Sequence, residues 1–482
     1  MISYDLFIDG GTRSTADAIE VADPATGDPV GRVARGDAVD ADAAIAAASD
    51  AADGWERAPP ADRERALRAV ADRIDADADA IAELLSEETG KCLGTAEGEV
   101  AETAAQFRFY AGVADKVRGD TIPTAENRLN YTRRTPYGVT AHIIPWNYPL
   151  LLGTRGIAAA LATGNTVVGK PPTHAPLTTM WIGEYLAEAL PAGVVNLVPG
   201  PGSEVGSAFA SHADVDAITF TGSTGVGRGV LEDAAEHITH VDVELGGKSP
   251  AIVLPDADVE NAARGIAAGI FSNAGQNCVA TSRCLVHESV HDELVEKVVE
   301  QTGRITLGPG SDPDTDMGPV ISEAAREEIL GYVDSAVEAG ATLLTGGGVP
   351  DDPDLADGTF VEPTILDDVD TGMAVGREEI FGPVLSIISV ESTDEAVAVA
   401  NDSPYALAAA VWTAGLDATR LARRLDHGLV AVNTYPVSMP QSPWGGNKES
   451  GLGREGGLEG ADAFTTVDSV VVEFDELAEP YR

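Results

Sequence analysis

Three residues stand out because their types could carry out covalent chemistry on a carbonyl group: Cys278, Glu244 and Asn147. Cys278 follows Gly275-Gln-Asn at the end of an apolar run with helical spacing. A thiolate attacks carbonyl carbon readily. For the cysteine alone, a buried structural role has about equal weight, since most free cysteines pack as small hydrophobes.

Glu244 and Asn147 lie in segments that could fix a polar side chain. Glu244 stands between Val243 and Leu245 and precedes two glycines, which indicates a strand end facing a cavity. Asn147 lies in the segment 144–149, where two prolines and two aromatic residues restrict the backbone. A carboxylate can activate water as a general base, and a fixed amide can donate to an oxyanion. Taken singly, Glu244 could be an ordinary surface carboxylate of this acidic chain, and the segment 144–149 could be an ordinary turn.

Seven motifs, in order and at matching spacings, make the chain similar to the aldehyde dehydrogenase superfamily. They are Pro145-Trp-Asn-Tyr-Pro149, Lys170-Pro, Phe220-Thr-Gly-Ser223, Glu244-Leu-Gly-Gly-Lys, Gly275-Gln-Asn-Cys, Glu379-Ile-Phe-Gly-Pro383 and Lys448-Glu-Ser-Gly451. Any one could arise by chance, whereas seven in register cover nearly the whole chain. The resemblance implies oxidation of an aldehyde to its carboxylic acid with NAD or NADP as hydride acceptor.

The resemblance also implies a role for each of the three residues. Cys278 is the nucleophile and carries a thioester intermediate. The Asn147 amide, together with the Cys278 backbone N–H, stabilises the oxyanion. Glu244 is the general base that activates water for release of the acid.

A larger set of residues resembles the family's cofactor site. The Gly-rich turn after Phe220 corresponds to a pyrophosphate site at a helix N-terminus, where backbone N–H groups favour an anion. Glu379 and Phe381 correspond to the pair that holds the nicotinamide ribose and ring. The full set implied is Ile144, Pro145, Trp146, Lys170, Thr173, Gly202, Phe220, Gly222, Ser223, Leu245, Glu379 and Phe381. No metal site is expected, because three cysteines at odd spacings do not form a ligand set.

Thr173 departs from the pattern of many NAD-preferring relatives. They carry a glutamate three residues after the lysine, where it holds both adenosine ribose hydroxyls. Here the run is Lys170-Pro-Pro-Thr173. Without that carboxylate a 2′-phosphate is not repelled, and Lys170 and Thr173 can both contact it. We therefore expect NADP to be preferred, with NAD also possible.

Arg155, eight residues after Asn147, bears on the substrate. An arginine here binds the distant carboxylate in relatives that oxidise acid semialdehydes; an arginine on a helix surface is the equally weighted alternative. Those relatives often add an arginine six residues before the nucleophile, where this chain has Ser272. The absence of this second arginine weakens the hypothesis that succinate semialdehyde is the substrate. Another acid semialdehyde, such as 2-oxoglutarate semialdehyde, is the expected type of substrate.

Three other functions stay open as alternatives. A betaine or broad-range aliphatic aldehyde dehydrogenase is one, although Arg155 would oppose a cationic substrate. An acylating enzyme that transfers the thioester to coenzyme A would not need Glu244. A catalytically inactive relative would be expected to lack Cys278, Glu244 or Asn147, and all three are present.

Charge is the unusual feature of the composition. The 482 residues include 78 acidic against 31 basic ones, a net charge of −47 spread along the chain. Such a chain is a poor partner for nucleic acid or an anionic membrane. Only six lysines accompany 25 arginines. An acidic, lysine-poor surface indicates adaptation to concentrated salt, which screens self-repulsion. The start of the chain lacks the features of a signal peptide, and no apolar run is long enough to span a membrane, so a cytoplasmic location is expected.

The elements that must position these residues follow an α/β pattern. Residues 40–118 read as helices. From 137 onward, strands are expected at 139–144, 166–168, 194–198 and 218–220, with helices at 152–163, 176–190 and 225–236 between and after them. This alternation predicts a Rossmann-type, doubly wound parallel sheet with ligands at its carboxyl edge.

We expect three parts in the chain. Residues 1–118 and 137–246 form the cofactor domain, and 247–446 an α/β catalytic domain. Residues 119–136 and 465–482 form a small β oligomerisation flap, since 470–474 reads as an apolar strand that needs a partner edge. A homodimer or a dimer of dimers is expected.

Overall fold

A computed structural model describes residues 2–415 and 418–475 of the chain. The strands are β1 (Ile2–Tyr4), β2 (Leu6–Ile8), β3 (Gly11–Arg13), β4 (Ala18–Ala22), β5 (Pro29–Ala34), β6 (Thr121–Ile122), β7 (Arg128–Pro136), β8 (Val139–Ile143), β9 (Thr166–Lys170), β10 (Val195–Leu197), β11 (Ala217–Thr221), β12 (His240–Glu244), β13 (Pro250–Val253), β14 (Arg283–His287), β15 (Thr342–Thr345), β16 (Thr364–Asp367), β17 (Val384–Val390), β18 (Tyr405–Ala406), β19 (Ala408–Trp412), β20 (Leu429–Val432), β21 (Asn447–Lys448), β22 (Gly451–Leu452) and β23 (Thr465–Glu473). The helices are α1 (Ala38–Glu56), α2 (Pro60–Ala76), α3 (Ala78–Thr89), α4 (Leu93–Ala111), α5 (Pro149–Thr163), α6 (Leu177–Ala189), α7 (Ser207–Ala210), α8 (Thr224–Ala234), α9 (Val259–Phe271), α10 (His291–Thr302), α11 (Glu323–Glu338), α12 (Ala374–Arg377), α13 (Thr393–Asn401), α14 (Ala418–Ala422) and α15 (Gly457–Asp462).

The first large sheet has the order β22-β12-β11-β8-β9-β10-β2-β3. Its five central strands, β12 to β10, run parallel, while β22, β2 and β3 join antiparallel at the edges. Strands β8 and β9 are buried along their whole length, as expected for a sheet covered on both faces. The expected Rossmann-type α/β sheet is confirmed.

Helix α5 joins β8 to β9 and carries the segment after Asn147 into the core. It begins at Pro149, three residues earlier than the sequence pattern indicates, and every one of its residues is buried. A helix buried all round has no apolar periodicity to mark its first turn. Its start is instead set by a proline at the first helical position, whose fixed φ suits that place. Helix α4 packs against α5.

The second large sheet has the order β15-β16-β17-β14-β13-β19-β20. It is parallel except for β15, which pairs antiparallel with β16 at one edge. Helix α9 packs its apolar face on this sheet and ends seven residues before Cys278. The second α/β unit expected from the sequence is therefore present.

A small sheet of order β23-β7-β6 stands apart from the two large ones. Strand β23 pairs with β7 in antiparallel register from Thr465↔Pro136 to Glu473↔Arg128. The apolar strand expected at 470–474 thus has its partner edge within the same chain. The last seven residues assigned to the flap, 476–482, lie outside the described residues, as does Met1 of the first domain.

Candidate active site

A cavity of about 800 Å³ opens at the carboxyl ends of the parallel strands β8, β9, β11 and β12. Its wall contains every candidate catalytic and cofactor residue inferred from the sequence, namely Asn147, Glu244, Cys278, Ile144, Pro145, Trp146, Lys170, Thr173, Gly202, Phe220, Gly222, Ser223, Leu245, Glu379 and Phe381. These residues come from segments up to about 240 positions apart, between Ile144 and Phe381. The fold therefore brings them to one place.

Cys278 lies in the cavity wall on a loop held against two other segments. Gly247 approaches so closely that a Cβ there would lie 2.3 Å from the Cys278 carbonyl O. Gly275, at φ +71°, passes the backbone after Phe381, because its Cβ would lie 2.1 Å from the Gly382 carbonyl O. Burial, followed by the charges of Glu379 and Glu244, raises the pKa of the Cys278 thiol to about 12. The cavity thus favours the neutral thiol.

Asn147 is buried beside this loop. Its Nδ2 donates to the Gln276 carbonyl O at 3.1 Å, two residues before Cys278. The Asn147 carbonyl O accepts from Asn273 Nδ2 at 3.4 Å. Asn273 and Ala274 both have left-handed backbones, with φ of 52° and 53°, which costs about 1–3 kcal/mol for each such residue. The Asn147 segment and the cysteine loop are therefore built as one unit.

Glu244 ends strand β12 and is 5% exposed. Its carbonyl O accepts from the Gly222 N–H at 3.0 Å, which ties it to the Gly-rich turn. Its Oε2 is buried and has no hydrogen-bond partner within residues 2–415 and 418–475. Burial, then the charge of Glu455, raises the pKa of this carboxyl well above its ordinary value. An unsatisfied carboxylate oxygen at a cavity wall is suited to accept a proton from a water.

The cavity fits an extended dinucleotide. A Cβ at Gly202 or Gly229, both in the wall, would project into open space, so these glycines keep the channel wide. Helix α8 begins at the Gly-rich turn with Ser223 as its N-cap, and its N-terminus can receive a pyrophosphate. Trp146 and Phe381 meet edge to face at 5.5 Å beside the channel.

Charged groups stand toward both ends of this channel. Lys170 is 5% exposed, and burial lowers its pKa to about 8. Glu379 Oε1 accepts from the Gly247 N–H at 3.0 Å, and burial raises the pKa of this carboxyl to about 7. Lys170 could in addition donate to a phosphate, and Glu379 could accept from a ribose hydroxyl.

The structure does not bring Arg155 to the wall of this cavity. Its guanidinium is 1% exposed, donates to Glu455 Oε2 at 3.3 Å and to Ser438 Oγ at 3.4 Å, and lies 4.9 Å from the Trp444 ring. This placement differs from the expectation that Arg155 is available to bind a substrate carboxylate. Because Glu455 lies 300 residues further along the chain, nothing near Arg155 in sequence indicates the pairing.

Several residues around the site have no place in the sequence-based set. Glu455 stands near Glu244 and accepts from both Arg155 and Thr219. Lys91 and Glu99 form a buried pair behind Asn147. For Lys91, the sequence offers one signal, the scarcity of lysine, which makes each lysine unusual in this chain. The structure shows that half of the six, Lys91, Lys170 and Lys248, are buried.

The fold and the cavity together define a class of protein. A Rossmann-type sheet whose carboxyl edge opens into a dinucleotide-sized channel is the architecture of nicotinamide-dependent oxidoreductases. A channel that also reaches a thiol and an unsatisfied carboxylate fits dehydrogenases that use a cysteine nucleophile.

The chain belongs to the aldehyde dehydrogenase family, whose family profile matches residues 12–470. It is 43% identical over 454 residues to a hydroxyisobutyraldehyde dehydrogenase of Mycolicibacterium austroafricanum, covering 93% of this chain and 89% of the relative. It is 40% identical to a betaine aldehyde dehydrogenase of Bacillus subtilis (strain 168), covering 97% of both chains. A crystal structure of betaine aldehyde dehydrogenase from Staphylococcus aureus in complex with NAD⁺ superposes with a TM-score of 0.97 at 38% identity, covering 99% of this chain and 96% of that one. The protein is thus an aldehyde dehydrogenase.

No helix in the described part of the chain is long and apolar enough to cross a membrane.

Proposed function

We propose that this enzyme oxidises aldehydes through a thioester on Cys278, with Asn147 stabilising the oxyanion and Glu244 activating the hydrolytic water. The observation that carries the proposal is the single cavity that joins these three side chains to the dinucleotide channel. A nicotinamide bound there would accept the hydride. Lys170, the Gly-rich turn and Glu379 would hold the dinucleotide in the channel.

Each of the three residues has a defined task in this proposal. The Cys278 thiol gives its proton to water, the thiolate attacks the carbonyl carbon, and the oxygen becomes an oxyanion near the Asn147 amide. Once hydride has left the carbon, the acyl group is bound to Cys278 as a thioester. Glu244 then takes a proton from water, the water oxygen adds to the acyl carbon, and the Cys278 sulfur leaves.

For the substrate, the placement of Arg155 favours an aldehyde without a carboxylate. The acid-semialdehyde hypothesis needs a free guanidinium, whereas Arg155 is buried and paired with Glu455. Separating a buried ion pair costs about 3–5 kcal/mol. The names of the two relatives, hydroxyisobutyraldehyde and betaine aldehyde dehydrogenase, also refer to aldehydes without a carboxylate. We therefore place a small aliphatic aldehyde first and an acid semialdehyde such as 2-oxoglutarate semialdehyde second.

A panel of initial rates tests this ranking. We expect kcat/KM for short aliphatic aldehydes to exceed that for acid semialdehydes of similar length by about tenfold or more. Even about 1.4 kcal/mol of the cost of separating Arg155 from Glu455 corresponds to a factor of about ten. Betaine aldehyde belongs in the same panel. Arg155→Met is the informative variant: an acid semialdehyde that reacts best with the parent enzyme and loses its advantage in Arg155→Met would restore the original hypothesis.

For the cofactor, we propose a preference for NADP, supported by the surroundings of Thr173. Thr173 Oγ1 and Lys170 Nζ both donate to the Gly200 carbonyl O, each at 3.5 Å, so the two donors can reach one anion. A charge-assisted hydrogen bond contributes about 1.5–3 kcal/mol. Because the Staphylococcus aureus relative was solved in complex with NAD⁺, we retain NAD as the second candidate cofactor for this enzyme.

Thr173→Glu is expected to move the preference from NADP to NAD by about tenfold or more in kcat/KM. The new carboxylate would repel the 2′-phosphate and accept from the ribose hydroxyls of NAD. Thr173→Val is the matched control, because it removes the hydroxyl without adding charge and should lower only the rate with NADP. Steady-state kinetics with both cofactors measure the ratio. An unchanged ratio in Thr173→Glu would show that position 173 does not discriminate.

The remaining features stay predictions. The domain boundaries, the cytoplasmic location and the salt-adapted source follow from the sequence pattern and charge. For the homo-oligomer, support comes from the β23-β7-β6 sheet, whose outer strand has an open edge within the described residues and exposes Val467, Val471 and Val472.

A further inference from the structure

A buried ion pair lies directly behind Asn147. Lys91 follows α3 and Glu99 lies in α4, and their side chains are 0% and 1% exposed. Lys91 Nζ donates to Glu99 Oε2 and, at 2.8 Å, to the Asn147 carbonyl O. The same ammonium lies 4.2 Å from the centre of the Tyr148 ring. Lys91 therefore contacts both Asn147 and the residue that follows it.

Glu99 binds the residues that come after Tyr148 in the same segment. Its Oε1 accepts from the backbone N–H groups of Leu150 and Leu151, at 2.9 and 3.2 Å, in the first turn of α5. These donors have no partner within their own helix, so the carboxylate satisfies them. The pair thus binds the Asn147 carbonyl O, the Tyr148 ring and the first turn of the helix that follows.

Burying two charges is expensive, and a well-packed apolar pair of the same volume would fill this space at similar or lower cost. Stability alone therefore does not account for a lysine and a glutamate here. What an apolar pair could not supply is the set of directed hydrogen bonds to the Asn147 carbonyl O and to the start of α5.

We propose that Lys91 and Glu99 are positioning residues that orient the Asn147 amide toward the oxyanion formed on the Cys278 adduct. The inference rests on the proposed role of Asn147. The Asn147 carbonyl O accepts from Lys91 on one side and from Asn273 of the cysteine loop on the other. The plane of the peptide bond after Asn147 is thereby fixed. The Asn147 side chain then keeps its hydrogen bond to the Gln276 carbonyl O.

Two reactions of Cys278 separate positioning from general folding. Hydrolysis of p-nitrophenyl acetate passes through an oxyanion and so depends on Asn147, whereas alkylation by iodoacetamide forms none. In Glu99→Gln and in Lys91→Met/Glu99→Gln, we expect aldehyde oxidation and ester hydrolysis to fall in kcat by about tenfold or more. Alkylation and the KM for the dinucleotide should stay within about twofold of the parent.

Glu88→Gln is the matched control. Glu88 is also a fully buried carboxylate, and it accepts from the N–H groups of Leu177 and Thr178 at the start of α6, at 2.7 and 3.0 Å. It does not contact Asn147, so in Glu88→Gln the rates of ester hydrolysis and of alkylation should change by the same factor. If Glu99→Gln, which leaves the buried Lys91 ammonium unpaired, fails to fold, the double variant, which leaves no unpaired charge, carries the test.

Combination with Asn147→Ala completes the experiment. If the pair acts through Asn147, the double substitution should lower ester hydrolysis by less than about twofold in the Asn147→Ala background. Full loss in that background, an equal fall in alkylation, or normal ester hydrolysis in the double variant would overturn the inference. Normal ester hydrolysis in Asn147→Ala alone would instead refute the proposed oxyanion role.

Discussion

Cys278→Ala is expected to lower kcat for aldehyde oxidation by about 10⁴-fold or more, because no other described group in the cavity wall can form a thioester. Dinucleotide binding should be almost unaffected, since the residues proposed to hold it come from other segments. Absorbance of the reduced cofactor measures turnover, and fluorescence titration measures binding.

Cys284→Ala is the control for this experiment. Cys284 lies in β14 with no exposed surface, outside the cavity, and burial raises its pKa far above the ordinary range of a thiol. Its loss should affect stability rather than turnover per folded molecule. Substantial activity in Cys278→Ala, or equal losses in the two variants, would contradict the assignment of the nucleophile.

Glu244→Gln is expected to slow release of the acid more than formation of the thioester. The amide keeps the size of the side chain but cannot take a proton from water. Rapid mixing with aldehyde and cofactor should therefore give a burst of reduced cofactor close to one per active site, followed by a steady state slower by about 10²-fold or more. A variant that turns over like the parent, with no burst, would refute the general-base role.

The pH profile provides a second readout for Glu244. Burial and the charge of Glu455 raise the pKa of the Glu244 carboxyl, and a general base acts only when deprotonated. The deacylation rate of the parent should therefore fall as the pH drops through this raised pKa. In Glu244→Gln, that acidic limb of the deacylation rate should be absent, while the rate of the burst, which reports acylation, should still rise toward high pH as the Cys278 thiol ionises.

Much of the fold and the cofactor channel could be predicted from the sequence because their signals are local. Strands such as β8 and β11 are short apolar runs, and each turn at their carboxyl ends contains Gly or Pro within a motif. The first 34 residues gave no such signal. Residues 2–34 form five strands of three to six residues, and β1 and β3 are largely exposed, so neither shows the buried apolar run that marks the central strands.

The contacts that the sequence did not reveal depend on the tertiary fold. Arg155 is paired with Glu455, 300 positions away, and only the folded chain brings the two together. Lys91 lies in the break between α3 and α4, whereas Glu99 lies within α4, so no helical spacing relates the two. Both pairs are buried charges, and burial of a charge follows from the tertiary fold rather than from local pattern.

Mass spectrometry of the acyl-enzyme tests the central claim most directly. Glu244→Gln is mixed with an aldehyde and the dinucleotide, quenched in acid during the burst, and digested. We predict that the peptide containing Cys278 gains the mass of the acyl group in place of one hydrogen, in an amount that matches the burst of reduced cofactor. A burst of reduced cofactor with an unmodified Cys278 peptide, or with the acyl group on another residue, would contradict the account.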